Sequence, residues 1–281
     1  MELDSDPHIL LTNDDGIDAP GIRALHDALS AVGTVTVVAP DRNRSAVGRS
    51  LSYGRTRSSR DDDDDFSLDL ETDSFTSPVP HTDHELGYAV DGTPCDCAIV
   101  GTNGLEPQPD IVVSGCNSGA NLGAYVFSRS GTVSAAMEAA FLGTPSIAVS
   151  LDTLGYDRDL EPGDFERAGE ITADLVAGTA GTGLFDRVDY LNVNVPRPDR
   201  DPNGFELTRP TEVYEMDAAL EDGSFELTNR LWQQMANRDI PDAEDTDRHA
   251  LLEERVSISP LRVPYEVVDA EPVQRILEDV L

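Results

Sequence analysis

The sequence predicts an α/β protein: a mostly parallel sheet with helices on both faces, followed by a smaller C-terminal extension. Three observations carry this. Short apolar runs recur at residues 9–11, 34–39, 110–114, 146–151 and 190–195. Helical patterns lie between most of them, at a spacing that suits strand–helix–strand crossovers. The first three runs each stop in a polar, glycine- or asparagine-bearing turn, the chemistry expected where buried strands end.

The first run, Ile9-Leu10-Leu11, stops at Thr12-Asn13-Asp14-Asp15-Gly16. Pro20 then opens a helix whose apolar residues Ile22, Leu25, Ala28 and Leu29 recur at helical spacing, with Gly33 closing it. The second run ends in Pro40-Asp41-Arg42-Asn43-Arg44-Ser45. Patterning is lost from residue 50 to about 91, in a stretch holding an aspartate run (61–65), Pro78 and Pro80. An excursion of short strands and an acidic loop is expected there, outlined by Phe66, Leu68, Leu70 and Phe75.

Thr93-Pro94 has the form of an N-cap followed by proline at the first helical position. The helix it opens would end near Gly104. The third run breaks at Gly115 into Gly115-Cys116-Asn117-Ser118-Gly119-Ala120-Asn121-Leu122-Gly123. Ser130 caps a helix through Val133, Ala136, Met137, Ala140 and Phe141, closed by Gly143. Asp164 opens another. From about residue 198 the texture turns polar, with strand-like pieces at 206–208, 225–227 and 256–258. A terminal helix, 272–281, carries an apolar stripe of Val273, Ile276, Leu277 and Val280. The expected division is residues 1–198 as the Rossmann-like core and 199–281 as a C-terminal extension, to which the family resemblance described below adds catalysis and oligomerisation as expected roles.

Composition bounds the partners. The chain has 54 acidic and 20 basic residues, a formal charge of -34, and every basic residue other than histidine is arginine. Such a surface repels nucleic acid and anionic membrane. Molar salt shortens the Debye length to about 3 Å and removes the self-repulsion, so a salt-rich cytoplasm is the expected setting. The N-terminus is acidic and its first apolar run is short, so no signal peptide is expected. Nor does any run reach the roughly 18 apolar residues of a membrane span. Cys95, Cys97 and Cys116 form no disulfide framework.

In a parallel sheet the carboxyl ends of strands share one edge, where ligands bind. Asp14-Asp15, Ser45 and Asn117 would meet there and offer hard oxygen donors to a divalent cation. Ser130-Gly131-Thr132 at a helix start would suit a phosphate. Other chemistries lack their motifs. The glycine-rich 115–123 loop has no Walker lysine, no G-x-G-x-x-G follows the first strand, and no G-x-S-x-G elbow is present. His81-x-x-His84 with Cys95-x-Cys97 is a poor zinc pattern, because i,i+2 side chains on a helix diverge.

The ordered set Leu11-Thr12-Asn13-Asp14-Asp15-Gly16, Ala19-Pro20-Gly21-Ile22, the 38–45 turn, Gly92-Thr93-Pro94-Cys95-Asp96-Cys97, the 114–123 loop and Ser130-Gly131-Thr132-Val133 closely resembles the SurE family of survival-protein nucleotidases. The resemblance spans residues 8 to about 196. It implies a Rossmann-like core and hydrolysis of nucleoside monophosphates with one divalent cation, Mg²⁺ or Mn²⁺. It also implies dimers or tetramers that exchange C-terminal segments. Asp14, Asp15, Ser45 and Asn117 fall on the family's metal positions, with Asp14 and Asp15 catalytic. Asn121, Ser130, Gly131 and Thr132 fall on its phosphate positions. One departure stands out: Arg129 replaces the tyrosine usual before Ser-Gly-Thr, and the approach from Leu122-Gly123 is one residue longer. A surface arginine paired with nearby acid is the expected state of Arg129. The alternative function is a non-catalytic, metal-dependent nucleotide-binding protein, which would share every motif.

Overall fold

The computed structural model describes residues 6–52 and 77–263. The chain opens with β1 (His8–Thr12), α1 (Pro20–Leu29) and β2 (Thr34–Pro40). Two short strands, β3 (His81–His84) and β4 (Gly87–Val90), precede α2 (Pro94–Asn103). Then come β5 (Ile111–Ser118), α3 (Gly131–Phe141), β6 (Ser146–Leu151), α4 (Glu166–Thr179) and β7 (Tyr190–Val195). The C-terminal part holds β8 (Phe205–Leu207), β9 (Met216–Glu221), β10 (Ser224–Asn229), α5 (Leu231–Asn237), α6 (Asp247–Leu252) and β11 (Val256–Leu261).

Among the described residues, nine strands form one sheet in the order β3-β4-β2-β1-β5-β6-β7-β11-β8. β1 lies near its middle, parallel to β2 on one side (Ile9 opposite Val35) and to β5 on the other (Leu10 opposite Val112). Only the β3–β4 and β7–β11 pairs run antiparallel within it. Burial on both faces explains why these strands read as continuous apolar runs. The period of two is still visible. Ile9 and Leu11 join the cluster with Ile22, Leu25 and Val113, while Leu10 joins Val38, Cys97 and Val112 on the opposite face. α1 and α4 cover the first face and α2 and α3 the second.

The helix signals hold. Thr93 and Asp96 form a capping box at the start of α2, and the Ser130 hydroxyl accepts from Val133 N at 3.1 Å to start α3. Two elements differ from expectation. β5 continues through Gly115 to Ser118, because its pairing with β6 resumes after a register shift between Ser114 and Asn117. Asp164 lies in a 3-10 turn (Pro162–Phe165) that leads into α4 rather than in the helix itself. The Cys116 side chain is buried core. Residues 61–65, Phe66, Leu68, Leu70, Phe75 and the terminal helix 272–281 lie outside the described residues.

β11 and β8 extend the main sheet beyond β7. β9 and β10 instead form a separate antiparallel hairpin (Leu220 opposite Phe225) whose residues stand almost wholly exposed. No helix among the described residues is long and apolar enough to cross a membrane.

Candidate metal and phosphate site

The turn after β1 is shaped by Asn13. Its amide donates to Gly16 O at 2.8 Å, and its Oδ1 accepts from Gly16 N at 3.2 Å. Gly16 has φ +104, and a Cβ there would fall 2.9 Å from the Arg42 carbonyl carbon. Glycine therefore lets the turns after β1 and β2 press together. Arg44 N donates to Asp14 O, and Asn43 Nδ2 donates to Asp15 Oδ1 at 3.2 Å. The same asparagine accepts from Ser45 N at 2.9 Å, which sets the Ser45 turn. From β5, Ser118 N donates to the other Asp15 oxygen at 3.1 Å. The three strand ends thus meet on Asp15.

Asn117 Nδ2 donates to Gly119 O at 2.5 Å, so the hydrogen bond engages its nitrogen and not its Oδ1. Asp14 is buried, 3% exposed, and Asp15 is half-buried. Neither carboxylate has a cationic side chain as partner among the described residues. Burial pushes the Asp14 carboxyl up to about 6; the Asp15 charge adds to this and the Thr132 hydrogen bond opposes it. No three His, Cys, Asp or Glu side chains cluster as a metal group among the described residues. The donor set expected from the sequence is two carboxylates with a serine hydroxyl and an asparagine carbonyl. Such all-oxygen chemistry fits Mg²⁺ or Mn²⁺, and the buried negative charge lacks a counterion.

The residues expected to contact phosphate adjoin this edge. Thr132 is fully buried and its hydroxyl donates to Asp14 Oδ1 at 2.6 Å. A Cβ on Gly131 would sit 2.6 Å from Asp14 Cβ, so only glycine allows the start of α3 to approach so closely. Asn121 is held on every side. Its N donates to Asn194 Oδ1 at 2.7 Å, its O accepts from Asn192 and Asn194, and its Nδ2 donates to Ser150 Oγ at 2.9 Å. Gly123 N, two residues on, donates to Asp247 at 2.7 Å.

A model of the family described as survival protein SurE matches residues 9–216. The chain belongs to the SurE family. It is 49% identical over 271 residues to the 5'-nucleotidase SurE of Halobacterium salinarum, covering 94% of each chain. It is 47% identical over 276 residues to the 5'-nucleotidase SurE of Natronomonas pharaonis, covering 96% of this chain and 98% of that one. The crystal structure of the SurE protein from Aquifex aeolicus aligns with a TM-score of 0.72 at 33% identity, across 98% of this chain and 99% of that one. The SurE resemblance read from the motifs, and the α/β fold it implied, are borne out.

Several residues that build this SurE-family site were not singled out in the sequence. Asn192 and Asn194 alternate inside a fully buried strand, which places both on one face of β7. Two asparagines in an apolar run were the readable signal that a backbone segment needed partners. Asp247 gave no such signal. It opens α6 and accepts from Gly123, Thr211 and Arg248 backbone N–H groups. The Arg248–Asp242 ion pair beside it is fully buried, at 3.1 Å. The zinc pattern does not assemble: His81 packs on Tyr88, His84 meets Asp18, and Cys95 and Cys97 are buried in α2. Arg129 departs from its expected acid pair, since its guanidinium lies over the rings of Tyr125 and Tyr214.

Proposed function

We propose that this protein is a nucleotidase: a metal-dependent phosphomonoesterase that hydrolyses nucleoside monophosphates to nucleoside and phosphate. The observation that carries the reading is the junction of Asp14 and Thr132. There, a buried carboxylate without a counterion is hydrogen-bonded to the first turn of α3. A cation-holding strand end and an anion-holding helix start therefore face each other. Relatives that align along most of the chain are 5'-nucleotidase SurE proteins, which supports the same reading.

Asp14, Asp15, Ser45 and Asn117 would hold one Mg²⁺ or Mn²⁺. When bound, the ion supplies positive charge to the phosphoryl group and acidifies a water. Asn121, Ser130, Gly131 and Thr132 would orient the phosphoryl oxygens at the start of α3. The rigid mounting of Asn121 by Asn192, Asn194 and Ser150 means little reorganisation is needed as charge develops. Thr132 keeps Asp14 oriented. Phosphate release from a panel of nucleoside monophosphates in molar salt, with and without chelator, tests the proposal. Binding without release at any metal level would refute it.

The same reading includes a cytoplasmic, salt-adapted setting and a homodimer or homotetramer. Residues 1–198 would form the catalytic core and 199–281 the assembling extension. Its support is the β9–β10 hairpin, where Leu220, Phe225 and Leu227 are 65%, 77% and 74% exposed, joined by exposed Phe205 and Leu207 on the edge strand β8.

A further inference from the structure

Arg129 is the residue before Ser130, and its side chain meets no acid among the described residues. This is unusual in a chain with 54 acidic and 20 basic residues. Among the described residues, every arginine except Arg129 and Arg187 lies at ion-pair distance from a carboxylate. Its guanidinium carbon stands 5.1 Å from the Tyr214 ring centroid and 6.0 Å from that of Tyr125. The two rings pack against each other at 4.5 Å, tilted by 43°. Arg129 is exposed and Tyr214 is 43% exposed, so the stack faces outward.

The position of this stack relative to the site follows from its backbone. A Cβ on Gly48 would lie 2.4 Å from Ser128 O and 3.4 Å from Arg129 Cα, so the turn carrying Ser45 rests on the segment carrying Arg129. A Cβ on Gly123 would lie 2.8 Å from the Tyr125 ring, so the far end of the stack is backed by the loop carrying Asn121. The wall therefore lies beside the segments that carry Ser45, Asn121 and Ser130. A nucleotide whose phosphoryl group sat among these residues would carry its nucleoside out past Arg129, Tyr214 and Tyr125.

We propose that Arg129, stacked on Tyr214 and Tyr125, is the specificity-determining wall that receives the nucleobase. This rests on the nucleotidase reading. A planar guanidinium offers a flat face for a base, and the two rings behind it hold that face in place. Base-on-aromatic and base-on-guanidinium stacking tolerates any base but grows with ring area, so purines gain most. With no carboxylate partner among the described residues, the guanidinium N–H groups are open to base acceptors such as guanine N7 and O6.

The test compares kcat/KM for GMP with that for ribose 5-phosphate, which has the same phosphoryl and sugar but no base. Wild type, Arg129→Ala, Arg129→Lys and Tyr214→Leu are assayed in molar salt, with thermal melts confirming the fold. Wild type should favour GMP. Arg129→Ala and Tyr214→Leu should each lower the GMP-to-ribose-5-phosphate ratio by about tenfold or more, chiefly through KM. Arg129→Lys keeps the charge and loses the flat face, so it should lower the ratio too. An unchanged ratio in Arg129→Ala, or equal losses on both substrates, would overturn the proposal and make Arg129 a phosphate contact or a structural residue. If Arg129→Ala fails to fold, Tyr214→Leu decides alone. A wild type that releases phosphate from neither compound would fail the nucleotidase reading itself, and the wall with it.

Discussion

The Thr132 hydroxyl donates to Asp14 Oδ1 at 2.6 Å, joining residues 118 positions apart. Both groups are buried, and a hydrogen bond to a buried carboxylate is worth about 1.5–3 kcal/mol. Thr132→Val should therefore lower the stability of the chelator-treated protein by about that amount at neutral pH, whereas Thr132→Ser should keep most of it. Chemical denaturation of the three proteins checks this. Equal stability of the Val variant and wild type would remove Thr132 as the residue that orients Asp14.

Asp14 sets a pH dependence whose sign is fixed. Its carboxyl is pushed from the ordinary value of 3.8 up to about 6 in the folded protein, first by burial and then by Asp15. The native state then binds its proton more tightly than the unfolded chain does. The stabilising contribution is fully present below about 4 and is lost as pH rises through about 6, a gap worth about 3 kcal/mol. Asp14→Asn removes the buried charge. In chelator the Asn variant should melt above wild type at pH 8, and the difference should close by pH 4. A constant difference across that range would contradict the assignment.

The acidic surface gives a third expectation. With a formal charge of -34 and no lysine, the melting temperature should rise by many degrees from dilute buffer to molar KCl. Most ion pairs among the described residues have at least one exposed partner, and such pairs add little to stability individually. Screening of overall repulsion should dominate, and the melting temperature should climb with salt. A flat salt profile would refute the salt-adapted reading.

The core was legible because burial on both faces leaves a plain mark: β1, β5, β6 and β7 each read as a short run rich in apolar residues. The caps Thr93 and Ser130 were legible because capping is a local chemistry. The site turns were legible because Asp14, Asp15 and Asn117 end apolar runs. What escaped depends on distant partners. Asp247 is one acid among many in sequence, and only the fold brings it to Gly123. Arg129 was expected to find an acid because acids are so common; the Tyr125–Tyr214 pair that holds it comes from two segments far apart in the chain. The β9–β10 hairpin was hard to read because its apolar residues face solvent rather than a core.

That hairpin yields the fourth expectation. Phe225 and Leu227 stand exposed in a two-stranded ribbon, which is marginal alone in water. Phe225→Asp with Leu227→Asp should reduce the assembled protein to smaller species without loss of the core fold, as read by light scattering in molar salt. A wild type that is already monomeric, or a double variant with unchanged mass, would contradict the assembly role.

The central claim is that turnover depends on a cation held by Asp14 and its neighbours. The direct measurement is phosphate release from a nucleoside monophosphate by chelator-treated protein as Mn²⁺ is added back, for wild type and Asp14→Asn side by side. Wild type should be silent after chelation and regain activity with Mn²⁺. The Asn variant should stay folded and lose about a hundredfold or more in kcat, as for removal of one group that stabilises developing charge. Activity that survives chelation, or an Asn variant that responds to Mn²⁺ as wild type does, would contradict the account.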